Sequence, residues 1–163
     1  MQKIIVDKDT LIFDEFKFKC ALGKKGTTSN KKEGDNKTPK GLYSIGSIYY
    51  RRDRISKLET KLKKKVINRD MGWCDDVNSN FYNRHIKINK KVRHEKLFRK
   101  DEIYDLIIPI NYNMKNPIKN KGSAIFVHVS KKYEKTKGCV ALKKKDLLIL
   151  LKLINNKTKI KIL

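Results

Sequence analysis

Residues 123–156 read SAIFVHVSKKYEKTKGCVALKKKDLLILLKLINN, and how this stretch is divided decides the fold. Its first seven residues are an apolar run that is continuous enough for a strand in the middle of a sheet. The residues VSKKYEKTKG (129–138) are turn-like and can send the chain back. KDLLILLKLINN (145–156) is the clearest helix in the chain, with Asp146 after a basic run at its start and Asn155 and Asn156 at its end. Between them GCV (138–140) falls in the turn or strand before the helix. A strand carrying His128 and a turn carrying Cys139 therefore meet just ahead of one helix.

Working outward, KIIVD (3–7) reads as a strand. FKFKCAL (16–22) does too, with Phe16, Phe18, Cys20 and Leu22 alternating with lysines as one buried face, which makes Cys20 a core residue. Residues 23–41 are polar and rich in Gly, Ser, Thr and Asn, with Pro39 near the end, and read as a long loop. LYSIGSIYY (42–50) reads as one strand and DLIIPINYN (105–113) as another, with Pro109 pointing to an edge or a bulge. TKIKIL (158–163) alternates and can pair back onto the sheet. Residues 51–100 carry no firm pattern, and there is no internal repeat. The expectation is a mainly β domain with one packed helix near the C-terminus, spanning 1–163 as a single unit.

At 163 residues, 39% of them apolar, the chain can bury such a core. No stretch of about 18 apolar residues is present, so no membrane span is expected. The start, MQKIIVDKDTLIFDEF, carries acids and lacks the apolar segment of a signal peptide, which points to an unexported protein. Three cysteines, Cys20, Cys74 and Cys139, without CxxC spacing suggest neither a disulfide framework nor a zinc ribbon. A net charge of +24, from 41 basic and 17 acidic residues, draws polyanions without any specific site. The excess is lysine spread along the chain, and the Arg clusters and aromatic platforms of nucleic-acid readers are missing, so no specific nucleic-acid role is expected.

A thiol becomes a good nucleophile when an imidazole or backbone dipoles stabilise its thiolate, and His128 is placed to do so. Gly138 lets a substrate carbonyl approach the backbone, whose N–H groups are suited to an oxyanion hole. By spacing alone, a histidine on an apolar strand and a buried cysteine are equally well read as core.

The segment 125–154 resembles the active-site region of the L,D-transpeptidase catalytic domain (YkuD-like) family, whose pattern is a His, a loop, Ser or Thr, one residue, then Gly-Cys. EGDNKTPKGLYSI (33–45) is similar to the same family's Thr-Pro-x-Gly-aromatic stretch. GWCDDVNSNFYNRHIKI (72–88) and HEKLFRKDEIYDLIIPINYN (94–113) resemble a signal-less branch of it. The resemblance implies a β-sandwich in which Cys139 is the nucleophile, His128 its base, Gly138 part of the oxyanion hole and Thr136 the hydroxyl position of the motif. It also implies no cofactor. Two departures stand out: the His-to-Cys spacing of 11 implies a trimmed loop, and Ala141 replaces the arginine that often follows Gly-Cys. A surplus lysine or Arg84 would then have to hold a substrate carboxylate. Trp73, Asp75 and Asp76 read either as cleft residues or as a turn, and Tyr82, Asn83 and Arg84 as aromatic contact and carboxylate binding. His85 and His94 read as surface residues, and no ligand spacing supports a metal.

The implied activity is attack on the L,D bond before the terminal D-Ala of a peptidoglycan stem peptide, leaving a thioester on a monomeric enzyme. An amine acceptor makes it a transpeptidase, and water makes it an L,D-carboxypeptidase acting on muropeptides in recycling. The missing export signal favours the cytoplasm and the second reading, whereas the family favours the cell envelope and the first. A polyanion-binding module is the reading from a different class.

Overall fold

The computed structural model describes residues 2–88 and 91–163. The chain opens on a meander in which β1 (Lys3–Asp7), β2 (Thr10–Phe13) and β3 (Phe16–Lys19) pair antiparallel in turn. Ile4, Val6, Leu11, Phe13 and Phe18 alternate into the core, as period-2 patterning requires, and Cys20 is buried with them. Phe16 departs from the expected inward face. At 37% exposed, it opens the edge strand and stacks on Phe18 with ring centroids 6.2 Å apart.

The long loop that follows is pinned by a two-residue parallel rung, β4 (Thr27–Thr28) against β5 (Thr38–Pro39). The single strand expected over 42–50 is in fact two, β6 (Gly41–Ser44) and β7 (Ile48–Tyr50), in different sheets. The chain crosses over at Gly46, whose N–H bonds to the Pro109 carbonyl at 2.8 Å and where a Cβ would touch the Pro109 ring. Residues 51–100, unreadable as sequence, contribute β8 (Lys64–Val66) and the strands β9 (Met71–Cys74), β10 (His85–Lys87) and β11 (His94–Lys96). These last three form a small antiparallel sheet with β9 in the middle. They are three or four residues each, too short to display a period.

The remaining elements are β12 (Leu106–Pro109), β13 (Phe126–Val129), β14 (Val140–Leu142), α1 (Lys144–Leu153) and β15 (Lys159–Ile162). One five-stranded sheet runs β3-β2-β1-β15-β6, so TKIKIL does pair back, between β1 and β6. The other runs β14-β13-β12-β7-β8. Pro109 therefore does not mark an edge strand, because β12 is central. It is tolerated as the strand's last residue, where its carbonyl still accepts the Gly46 N–H.

The two large sheets and α1 share one core, in which Ile4, Val6 and Leu11 of the first sheet meet Leu106, Ile108, Val127, Val129, Val140 and Leu142 of the second. Leu147, Leu150 and Leu151, at helical spacing, bury the inner face of α1. The opposite face of the second sheet carries Tyr49, Ile107, Phe126 and Cys139, covered by Trp73, Leu97 and Tyr104. A sheet buried on both faces needs apolar residues at every position, which is why AIFVHV shows no alternation. Among the described residues no helix is long and apolar enough to cross a membrane.

Candidate active site

β13 and β14 run parallel, with Val127 opposite Val140 and His128 opposite Ala141. One step back along this register, Cys139 falls beside Phe126. Phe126, His128, Cys139 and Ala141 thus share the face turned away from the main core. A parallel pair requires a crossover, and here the crossover is the loop 130–139, stitched to the chain after β3 by the bonds Thr136 N–H to Leu22 O (2.9 Å) and Lys24 N–H to Thr136 O (2.8 Å).

The motif residues define the turn that presents the thiol. Thr136 Oγ1 accepts the Gly138 N–H at 3.0 Å and donates to the Cys139 carbonyl at 2.7 Å, closing the turn from both sides. Gly138 has φ +146°, a region nearly confined to glycine, and a Cβ there would lie 2.9 Å from the Lys37 carbonyl oxygen. Its N–H, expected to face an oxyanion, is committed to Thr136. Thr136→Val is expected to lose both hydroxyl bonds, costing about 1–3 kcal/mol of stability and releasing the thiol from its position, while Thr136→Ser retains them. Thermal unfolding and turnover of the two variants check this.

Cys139 and His128 are each 8% exposed. The thiol donates to the Ala124 carbonyl at 3.2 Å and accepts the Phe126 N–H at 3.3 Å. Burial, with the Glu95 carboxylate nearby, pushes its pKa up to about 12. His128 Nδ1 lies 2.9 Å from the Val129 carbonyl. A carbonyl only accepts, so Nδ1 carries the proton and the basic lone pair sits on Nε2. Burial holds this imidazole neutral, with its pKa lowered to about 4. The resting pair is thus thiol and imidazole, and the lowered thiol pKa expected from an imidazolium partner is not what this geometry holds. Iodoacetamide labelling of Cys139 is accordingly expected to climb about tenfold per pH unit from 7 to 10. A rate already on a plateau near neutral pH would contradict it.

Both residues line an open cleft of about 1770 Å³, with Thr136, Gly138 and Asp75. The other sequence candidates sit elsewhere. Trp73 is buried beneath the sheet face, edge-on to Phe126 at 5.0 Å, with its Nε1–H donating to Asn83 Oδ1 at 3.0 Å. Asn83, buried and at φ +57°, also accepts the Ala124 N–H (3.0 Å) and donates to the Tyr112 (3.0 Å) and Asn113 (2.7 Å) carbonyls. It pins the segment whose Ala124 carbonyl holds the thiol. The Tyr82 hydroxyl donates to Glu33 and accepts the Gly122 N–H at 3.0 Å. Exposed Arg84 borders a separate depression with Ser79 and Lys119, away from the thiol. Asp75 is held by Arg93 at 3.2 Å, and Asp76 caps the turn at Asn78.

Among the groups on the cleft wall that sequence reasoning missed are Glu95, Tyr104, Lys31 and His94. His94, read as a surface residue, is only half-buried but faces the cleft, whereas His85 is exposed on β10. Lys31 is buried and paired with Asp35. No signal in the sequence distinguishes Lys31, Glu95 and Tyr104 from the many other Lys, Glu and Tyr residues, and the strand that carries Glu95 and His94, β11, is too short to be legible. Among the described residues no group of His, Cys, Asp and Glu is arranged to hold a metal ion.

The family described as the YkuD L,D-transpeptidase catalytic domain matches residues 2–162. No curated protein matches the chain. Among solved structures, an L,D-transpeptidase from Mycobacterium smegmatis is similar at TM-score 0.48 and 10% identity, over 99% of this chain and 58% of that one. L,D-transpeptidase 1 of Mycobacterium tuberculosis is similar at TM-score 0.46 and 11% identity, over the same shares. Bdellovibrio bacteriovorus Bd1075 is similar at TM-score 0.52 and 16% identity, over 99% of this chain and 47% of that one. The chain thus spans about half the length of these structures. The likeness to Bd1075 is one of fold, and it agrees with a mainly β sandwich with one helix near the C-terminus.

Proposed function

Because the chain belongs to the L,D-transpeptidase catalytic domain family, matched from residue 2 to residue 162, we propose that it is a cysteine acyltransferase that cleaves the L,D bond before the terminal D-Ala of a peptidoglycan stem peptide. The observation that carries this reading is the placement of Cys139 and a neutral His128 on one sheet face at the wall of the same cleft. Residues 1–163 act as one catalytic domain.

In the first half-reaction the thiol leaves the Ala124 carbonyl and passes its proton to His128 Nε2 as sulfur attacks the scissile carbonyl carbon. Neither ion forms alone. Thiolate and imidazolium arise together, and each offsets the other's desolvation. With the Gly138 N–H occupied, the Cys139 N–H is the amide of the motif left to face the oxyanion. Collapse breaks the C–N bond, the leaving D-Ala nitrogen takes the proton from His128, and the acyl group stays on sulfur as a thioester. An amine or water then releases it.

Incubating the protein with a disaccharide-tetrapeptide, with and without a D-amino acid, tests this by mass spectrometry. D-Ala release with an exchanged peptide is expected. Tripeptide as the sole product would make the enzyme an L,D-carboxypeptidase, and no D-Ala release under either condition would contradict acyl transfer.

A further inference from the structure

Glu95 is one of several carboxylates on the cleft wall, with Glu33, Asp75 and Glu134 among the others, that the first half-reaction leaves unused. It lies on β11, opposite Trp73, and one of its oxygens accepts the Tyr104 hydroxyl. The Tyr104 ring stands edge-on to His128, with centroids 5.6 Å apart, and to Phe126 at 5.8 Å. Phe126 in turn gives its N–H to the Cys139 sulfur. The carboxylate is therefore one aromatic ring away from the base, and two aromatic residues, Tyr104 and Phe126, away from the nucleophile.

Its charge is not matched by a partner. In a chain with 41 basic residues, Glu95 makes no ion pair within 4 Å among the described residues. The two nearby guanidiniums are committed elsewhere, Arg99 to Asp101 at 2.6 Å and Arg93 to Asp75 at 3.2 Å. Desolvation raises the Glu95 pKa, and the field of Asp75 adds to this, while the Tyr104 bond and the fields of Lys137 and Arg99 work the other way. A half-buried, unpaired carboxylate of raised basicity suits a cationic ligand that carries an exchangeable proton.

The carboxylate opposes the first half-reaction, since its field disfavours the Cys139 thiolate. Once the sulfur is acylated that penalty is gone. The reactant that enters next in transpeptidation is an amine, which is an ammonium ion at neutral pH and must lose a proton before it can attack.

The geometry points to Glu95 as the group that docks the incoming ammonium of the acyl acceptor and takes its proton. This rests on the acyl-transfer reading above. The ammonium R–NH3+ gives one proton to Glu95 and becomes R–NH2, and its nitrogen attacks the thioester carbonyl. The C–N bond forms, a second proton passes from nitrogen to His128, and the C–S bond breaks. His128 returns that proton to the Cys139 sulfur, and Glu95 releases the first to solvent. The sum is acyl–S–Cys139 plus R–NH3+ giving acyl–NH–R, free thiol and H+.

The test uses the full chain and two competing acceptors, D-methionine, which is an ammonium at neutral pH, and hydroxylamine, which is already uncharged there. In Glu95→Gln the amide oxygen still accepts the Tyr104 hydroxyl, but the charge and the base are gone. The ratio of D-methionine product to hydroxamate, read by mass spectrometry, is expected to fall roughly tenfold or more relative to wild type. An unchanged ratio overturns the assignment, whether or not total turnover falls. Wild-type protein that gains no acyl mass on Cys139 would instead contradict the acyl-transfer reading itself, so the two failures are distinct.

Discussion

Cys139→Ser is expected to reduce D-Ala release by roughly 10⁴-fold or more. The hydroxyl can keep both bonds of the thiol, to the Ala124 carbonyl and from the Phe126 N–H, so the variant tests chemistry with the turn intact. A serine hydroxyl is far less acidic than a thiol, and a buried imidazole held neutral does not make up the difference. Neither of the other two cysteines can take over. Cys74 lies on the central strand of the small sheet and Cys20 in the main core, its pKa pushed up to about 12 by burial and by Asp9. Cys139→Ala is expected to lose turnover equally, with an added stability cost from the orphaned carbonyl and amide.

His128→Ala is expected to lower turnover by about 10²-fold or more, as loss of a general base does. The magnitude is smaller than for Cys139 because the nucleophile survives and hydroxide or water can take its proton. The variant also leaves the Val129 carbonyl without its ring partner and opens a gap beside Tyr104, so unfolding should be followed alongside kinetics. The two effects separate on a pH series. If His128 is the base, the deficit narrows as pH rises, because the variant's thiol ionises without help. A deficit that is constant with pH points to lost packing.

The local structure of the candidate site was more legible in the sequence than that of its surroundings. The hydroxyl–x–Gly-Cys turn was legible through its resemblance to the family's motif, and such a motif is compact because its residues act on their near neighbours in the chain or through their own backbone. Thr136 closes the turn through its hydroxyl, and Gly138 holds a positive φ against the Lys37 carbonyl. The strand with His128 was legible as a continuous apolar run, and α1 from Asp146 after a basic run at its start and Asn155 and Asn156 at its end. Between residues 51 and 100 these signals fail. Strands of three or four residues are too short to show a period, and β9 to β11 are held by side-chain anchors such as Asn83 whose partners lie 10 to 41 residues away. GWCDD and FYNR drew notice as polar and aromatic clusters. The fold uses Trp73, Tyr82 and Asn83 to set the floor and the rim segment rather than to face the cleft, and only three-dimensional placement separates those roles. The electrostatic state of the pair was also out of reach, since the thiol pKa depends on burial and on Glu95, 44 positions away in the chain.

The most direct test of the account is the mass of the protein after reaction with a carbapenem, an acylating agent that the family resemblance predicts for this thiol, followed by peptide mapping. The account predicts one adduct, on the peptide carrying Cys139, that is absent from Cys139→Ser and slowed in His128→Ala. Release of D-Ala from a stem peptide by a protein whose adduct maps to another residue, or persists in Cys139→Ser, would contradict it.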